Sequence, residues 1–177
     1  MVPGRYRLHC GIPALTAEIA RSLRGYGWAP CDPAPIGLLV DGPWGIALHT
    51  LSHSDPSTWI VVTDNPCPEY WEDLWSMRPR ALLSGGHTIE DLASALSRAA
   101  CESFRHTPRH DSPLTPIERL LLRHSAQGWD TRRIARELTL SEGTIRNSLS
   151  RIFKKLGLDN RAQATLYYWG LWHMLDI

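Results

Sequence analysis

The stretch LTPIERLLLRHSAQGWDTRRIARELTLSEGTIRNSLSRIFKKLGLDNRAQA, Leu114–Ala164, decides how the last third of this 177-residue chain folds. Ile117, Leu120, Leu121 and His124 recur at helical spacing until Gly128 interrupts them. Asp130 is placed to N-cap a second helix, with Ile134, Ala135 and Leu138 on its apolar side. LTLSEG is then a turn, with Ser141 as the next N-cap and Glu142 in the first turn, where the helix dipole favours an acid. Ile145, Leu149, Ile152 and Leu156 follow at steps of four, three and four, a buried stripe that Gly157 ends. Asn160 can cap a last helix running toward the C-terminus.

The stripe has a consequence for the other side of its helix. At about 100° per residue, the face opposite Ile145/Leu149/Ile152/Leu156 carries Gly143, Asn147, Ser150, Arg151 and Lys154, with Arg146 and Lys155 on its flanks. Asn can pair bidentately with adenine, Arg with guanine and Ser with either, while Lys and Arg neutralise phosphates. A short helix, a tight turn and a helix with this face make a helix-turn-helix, whose second helix lies in the major groove of double-stranded DNA. Arg132 and Arg133, at the start of the preceding helix, are further phosphate candidates.

Charge follows the same division. The whole chain is nearly neutral, with 19 Lys+Arg against 18 Asp+Glu. Residues 1–110 hold nine Arg against eleven acids, net −2, whereas residues 131–161 hold eight basic residues against three acids, net +5. A local basic field on a neutral chain points to a polyanion-binding module joined to something else. The only lysines, Lys154 and Lys155, lie on the DNA-facing helix. Four dispersed cysteines without a CxxC pair, no basic-then-apolar leader and no 18-residue apolar run lead to the expectation of a cytoplasmic protein with free thiols and no membrane contact.

The Pro-rich and polar segment RHTPRHDSPLTP separates the two parts. The expected division is 1–104 for a first domain, 105–113 for a linker and 114–177 for the helical domain. In the first part Arg5–Cys10, Ile36–Val40, Trp59–Thr63 and Ala81–Ser84 read as strands. Pro13–Gly25, with Leu15, Ile19 and Leu23 on one face, Pro68–Met77 and Thr88–Phe104 read as helices. This alternation implies an α/β doubly wound parallel sheet followed by an all-α four-helix domain. Pro30, Pro33 and Pro35 restrict any strand between Gly25 and Ile36 to a short one or an edge.

On these motifs, residues 114–175 resemble the LuxR/NarL/FixJ-type DNA-binding domain. The family's LTxxE opening is met by Leu114, Thr115 and Glu118, its AxG by Ala126 and Gly128, and its IAxxL by Ile134, Ala135 and Leu138. Its SxxTV is met by Ser141, Thr144 and Ile145, and its last motif by Ile152, Lys155, Leu156, Arg161 and Ala164. Gly143 replaces a usual Lys and Ser148 a usual His. The resemblance implies that Arg146, Asn147 and Ser150 reach base edges and that Thr144, Arg151 and Lys154 meet phosphates.

In that family the helix-turn-helix often follows a phosphoacceptor receiver, which residues 5–104 resemble. A receiver holds Mg²⁺ with two acids after its first strand, takes a phosphoryl group on an Asp ending the third, and neutralises it with a Lys near the fifth. Here Cys10-Gly11-Ile12-Pro13 carries no carboxylate, and Ser84 or Gly85 stands where the Lys would be. Asp41 ends an apolar strand at the phosphoacceptor position and Thr63 ends the next. The implied function is an atypical, dimeric response regulator with a degenerate (pseudo-)receiver, Asp41 serving as a loop or capping residue. No metal, cofactor or catalytic residue is expected.

Three alternatives stand beside it. One is a regulator sensing a small molecule in a pocket around Cys10, Asp41, Thr63 and Ser84. Another is a conventional phospho-switched regulator, and the third a protein-interaction adaptor with a vestigial helix-turn-helix. Trp71 and Trp75, four apart with Tyr70 adjacent, suit either core or a partner surface. The apolar tail of Leu166, Tyr167, Trp169, Leu171, Trp172 and Leu175 could join protomers or domains.

Overall fold

In the computed structural model, which describes residues 4–172, the chain divides into two compact units. One consists of the chain up to Pro66 together with Leu74–Pro108, the other of Cys67–Asp73 together with the chain from Arg109 on.

The first unit is built on six parallel strands: β1 (Gly4–Cys10), β2 (Trp28–Pro30), β3 (Gly37–Val40), β4 (Trp59–Thr63), β5 (Ala81–Ser84) and β6 (Phe104–His106), in the order β2-β1-β3-β4-β5-β6. The register aligns Leu8, Leu38, Ile60, Ala81 and Phe104 in one row across five strands. Side chains alternate along a strand, so the next row, His9, Leu39, Val61, Leu82 and Arg105, faces the other side. Helices α1 (Pro13–Arg24) and α4 (Ile89–Ala99) supply Ile19, Leu23, Leu92, Ala93 and Leu96 to the core on the first face. Ala47, Leu48 and Leu51 of α2 (Ile46–His53) are buried as well, and α2 lies against β3. The doubly wound parallel sheet expected from the alternation is therefore present. β2, at three residues and the sheet edge, obeys its proline restriction.

Two local expectations fail for reasons that lie outside the local sequence. The helix read as Thr88–Phe104 ends at Ala99, and Phe104 opens β6, which also takes Arg105 and His106 out of the stretch read as linker. Arg80, 19 residues away, donates from Nε to the carbonyl of Ala99 at 2.6 Å and thereby closes the helix end. Phe104 is then free to pair beside Ala81, with the Arg98 guanidinium 4.2 Å above its ring. Leu15, placed on the buried face of α1 by its spacing, is 37% exposed.

The second unit contains α5 (Pro116–Ala126), α6 (Thr131–Glu137), α7 (Glu142–Leu156) and α8 (Arg161–Tyr168), together with the first residues of α3 (Pro68–Ser76). Leu121 and Leu122 of α5 are buried with Ile134, Ala135, Ile145, Leu149, Ile152 and Ala164. The inward face of α5 is thus Leu121, Leu122, Ser125 and Ala126, a rotation away from the expected one, and Ile117 is 49% exposed. Tyr70 and Trp71 are core, and Tyr70 meets the buried Tyr168 edge-on at 5.4 Å. The Tyr167 hydroxyl donates to Glu69 at 2.6 Å and the Tyr168 hydroxyl to Asp73 at 2.7 Å. Burial, against the pull of Arg123, raises the Asp73 carboxyl to about 6. Leu175 of the apolar tail lies outside the described residues.

A close approach in the sheet invites a test. A Cβ on Gly37 would stand 2.3 Å from the Trp59 ring, which the Arg7 guanidinium covers at 4.6 Å and a hydrogen bond from Nε1 to Ser54 holds. Gly37→Ala should destabilise the chain by about 1–3 kcal/mol, seen as a Tm several degrees lower. Gly86→Ala, where a Cβ meets nothing within 4 Å, should leave Tm unchanged or slightly raised. Equal Tm values for parent and Gly37→Ala would contradict this packing.

Candidate functional site

Three caps define the helix-turn-helix. Asp130 Oδ1 accepts from the backbone of Arg133 at 2.6 Å, which starts α6. Ser141 Oγ accepts from the backbone of Thr144 at 3.0 Å, which starts α7. Between them Thr139 adopts φ 55°, so the chain reverses within the LTLS turn. Gly157, with φ 68°, ends α7 in the left-handed region, where glycine carries no Cβ penalty.

Burial then fixes how α7 is rotated. Ile145, Leu149 and Ile152 are buried, whereas Thr144, Arg146, Asn147, Ser150, Arg151, Lys154 and Lys155 are all exposed. Among the described residues, Asn147, Ser150 and Lys154 make no side-chain hydrogen bond, so their polar groups are available to a ligand. Arg151 reaches Ser148 Oγ only at 3.4 Å, and Arg146 reaches the Glu142 carbonyl only at 3.5 Å, contacts weak enough to exchange. The Thr144 hydroxyl is shared with the Ser141 cap at 2.8 Å.

Lys155 stands apart from this group. Its Nζ lies 2.8 Å from both oxygens of Glu118 and 3.3 Å from the Pro113 carbonyl. Glu118 closes a capping box with Thr115 at the start of α5, so one carboxylate ties the first helix to the end of α7. The bonds from Thr115 and Lys155 outweigh desolvation, the largest single influence, and hold the Glu118 carboxyl below its usual range. The helical wheel alone places Lys155 at the flank, and its partner 37 residues earlier is invisible to that reading.

Arg132 and Arg133 are exposed at the start of α6, but only Arg133 is held. Its guanidinium lies 3.8 Å over Trp129, which in turn stacks on His124 at 4.0 Å. This Arg–Trp–His stack was not anticipated; the spacing of Trp129 and Arg133 at four residues was its available signal. Arg161 donates to the carbonyls of Ser125 and Trp129 and so joins α8 to the end of α5.

At the carboxyl end of the sheet, Asp41 is 2% exposed and its carboxylate is engaged on both oxygens. Oδ1 accepts from the backbone of Gly45 at 3.0 Å and Ala47 at 2.9 Å, capping α2, and Oδ2 accepts from the Thr63 hydroxyl at 3.1 Å. Ser84 pairs with Thr63 in register, and its buried hydroxyl has no partner among the described residues. Cys10 borders a cleft with Cys31 and Thr16, and its thiol also donates to the Gly42 carbonyl at 3.5 Å. Asp41 and Thr63 are thus bonded to each other, Ser84 pairs beside Thr63, and Cys10 reaches the residue after Asp41. His49 and His53 lie side by side on α2 at 4.4 Å, but no cluster of three metal-ligating side chains occurs among the described residues. No helix among them is long and apolar enough to cross a membrane.

Residues 112–168 match the family described as bacterial regulatory proteins, luxR family. The transcriptional regulatory protein YvfU of Bacillus subtilis, itself uncharacterised, is 34% identical over 119 residues, covering 59% of this chain and 56% of that one. The DNA-binding transcriptional activator DevR/DosR of Mycobacterium tuberculosis is 39% identical over 84 residues, covering 48% and 39%. The match thus spans 56% of the first relative's length and 39% of the second's. Among solved structures, RcsB from Salmonella enterica serovar Typhimurium bound to a promoter has 20% identity and a TM-score of 0.58, covering 94% of this chain and 98% of that one. That likeness shows the fold: a receiver-like sheet followed by a helical domain.

Proposed function

Since residues 112–168 carry a helix-turn-helix domain of the luxR family, we propose that this chain is a DNA-binding transcriptional regulator of the response-regulator type. The observation that carries the reading is the outer face of α7. Asn147, Ser150 and Lys154 stand there exposed and unbonded among the described residues, flanked by Arg146 and Arg151, while Ile145, Leu149 and Ile152 opposite them are buried and Leu156 at the end of the stripe is half-buried. Asn147, Ser150 and Arg146 read bases, and Arg151, Lys154 and Thr144 contact phosphates. Arg132 supplies a further phosphate contact, and so does Arg133, with its guanidinium held on Trp129. The protein acts in the cytoplasm as a homodimer, because one such module makes few contacts and two-fold symmetry matches paired half-sites.

The sheet unit is a receiver that has lost phosphoryl chemistry. Receivers use Mg²⁺, and the residues present do not fit it. No carboxylate follows β1 in Cys10–Pro13, and both oxygens of Asp41 are already taken by hydrogen bonds. A nucleophilic Asp41 would have to give up the cap of α2, and among the described residues no Lys or Arg lines the cavity beside it to offset the charge of an incoming phosphoryl group. This favours a regulator that is not switched by phosphate over the phospho-switched alternative.

The nucleic-acid reading is tested by duplex binding measured against salt. Arg151→Ala and Lys154→Ala should weaken binding to every sequence and flatten the salt slope by about one unit each. Asn147→Ala should instead relax specificity at one base pair, worth about 1–3 kcal/mol. Lys155→Ala should lower Tm slightly and leave the slope alone, because its charge is used on Glu118. Parent-like binding by all of Arg151→Ala, Lys154→Ala and Asn147→Ala would favour the adaptor reading.

Incubation with acetyl phosphate and Mg²⁺ tests the sheet unit. The intact mass should stay unchanged. A gain of one phosphoryl group that Asp41→Asn abolishes would restore the phospho-switch.

A further inference from the structure

At the carboxyl end of the sheet, beside Asp41, lies a cavity of about 300 Å³. Its wall is mainly hydrocarbon: Ile12 from the loop after β1, Leu15 from α1, Val40 and Val62 from the strand ends, and Leu92 from α4. Open parallel sheets bind ligands outside the carboxyl ends of their strands, and this volume falls at the small end of the ~300–1,000 Å³ range of small-molecule sites.

Two features make the cavity more than a packing gap. Ile12 and Leu15 are 41% and 37% exposed, although Leu15 stands one turn before the buried Ile19 on the same helical face. The apolar stripe of α1 thus continues onto the cavity and finds nothing there to bury it, an arrangement that a bound apolar molecule would complete.

The second feature is polar. Asp64 and His87 both line the wall, and the buried Nε2 of His87 has no hydrogen-bond partner among the described residues. Desolvation first, and then the neighbouring His106, lower the pKa of His87, while its ring bonds to the Ser84 backbone. A neutral imidazole bonded that way leaves Nε2 as an acceptor. Asp64, whose Oδ1 accepts from the Trp44 indole at 2.5 Å, supplies negative charge at the wall, and the neutral His87 supplies an acceptor. They suit a donor or a cation and repel an anion.

We propose that this cavity binds a small, largely apolar molecule bearing one cationic or hydrogen-bond-donating group. The proposal rests on the reading of the sheet unit as a receiver without phosphoryl chemistry, and it supplies the signal that unit would answer to. The apolar body lies on Val40, Val62 and Leu92 beneath Ile12 and Leu15, and the donor end faces Asp64 and His87.

Isothermal titration of the full chain with 1-naphthylmethylamine, and with 1-naphthoate as its anionic counterpart, tests the proposal. The amine should bind saturably and at least about tenfold more tightly than the naphthoate. Val62→Phe, which fills the floor, should weaken the amine by about tenfold or more with the thermal transition retained. If Val62→Phe fails to fold, Gly86→Leu fills the rim instead, at a position where an added Cβ meets nothing within 4 Å. Asp64→Asn should narrow the preference for the amine. Absence of saturable amine binding, equal affinity for the naphthoate, or parent affinity in the filled variants would each overturn the assignment. The acetyl phosphate experiment judges the underlying reading separately. An unphosphorylated chain that binds no amine defeats the cavity proposal alone, and a chain phosphorylated on Asp41 defeats the reading beneath it.

Discussion

Ile145, Leu149 and Ile152 are buried against the other helices of their unit, and that burial sets the rotation of α7 about its axis. Each of these side chains stabilises the fold by about 1.5–3 kcal/mol when fully removed from water, so no other rotation of α7 competes. The outer face follows without further choice. Asn147, Ser150, Arg151 and Lys154 are exposed because their positions are opposite the stripe, and the Glu118–Lys155 pair locks the far end of the helix to the start of α5. An exposed pair of this kind adds about 1 kcal/mol at most, so its value is registration more than stability.

A similar dependence runs through the sheet unit. Asp41 sits at the end of β3 with both carboxylate oxygens bonded, Oδ1 to two backbone amides and Oδ2 to the Thr63 hydroxyl. That group orders the entry to α2 and the end of β4 together. Carboxylates are absent from the loop after β1, and the cavity beside it is walled mainly by hydrocarbon.

What was legible in the chain was local. The caps at Asp130, Ser141 and Asn160 could be read because each bonds a backbone amide three residues on. Gly157 was legible because the stripe ends there and the chain needs a positive φ to leave the helix. The strand ends at Thr63 and Ser84 followed from apolar runs broken by polar residues. The illegible features depend on partners far along the chain. α4 stops early because Arg80 reaches its last carbonyls, and Lys155 is occupied because Glu118 lies beside it. No periodicity carries these facts. The α5 face was misplaced because Leu120, Leu121 and Leu122 are consecutive, so hydrophobicity alone leaves the inward direction open among neighbours.

The central claim is that the exposed face of α7 reads double-stranded DNA. Selection of bound duplexes from a random pool by the full chain, with affinity then followed against salt, tests it most directly. The account predicts enrichment of a two-fold symmetric pair of half-sites whose affinity falls steeply as salt rises. A pool returned without enrichment, or binding indifferent to salt, would contradict it.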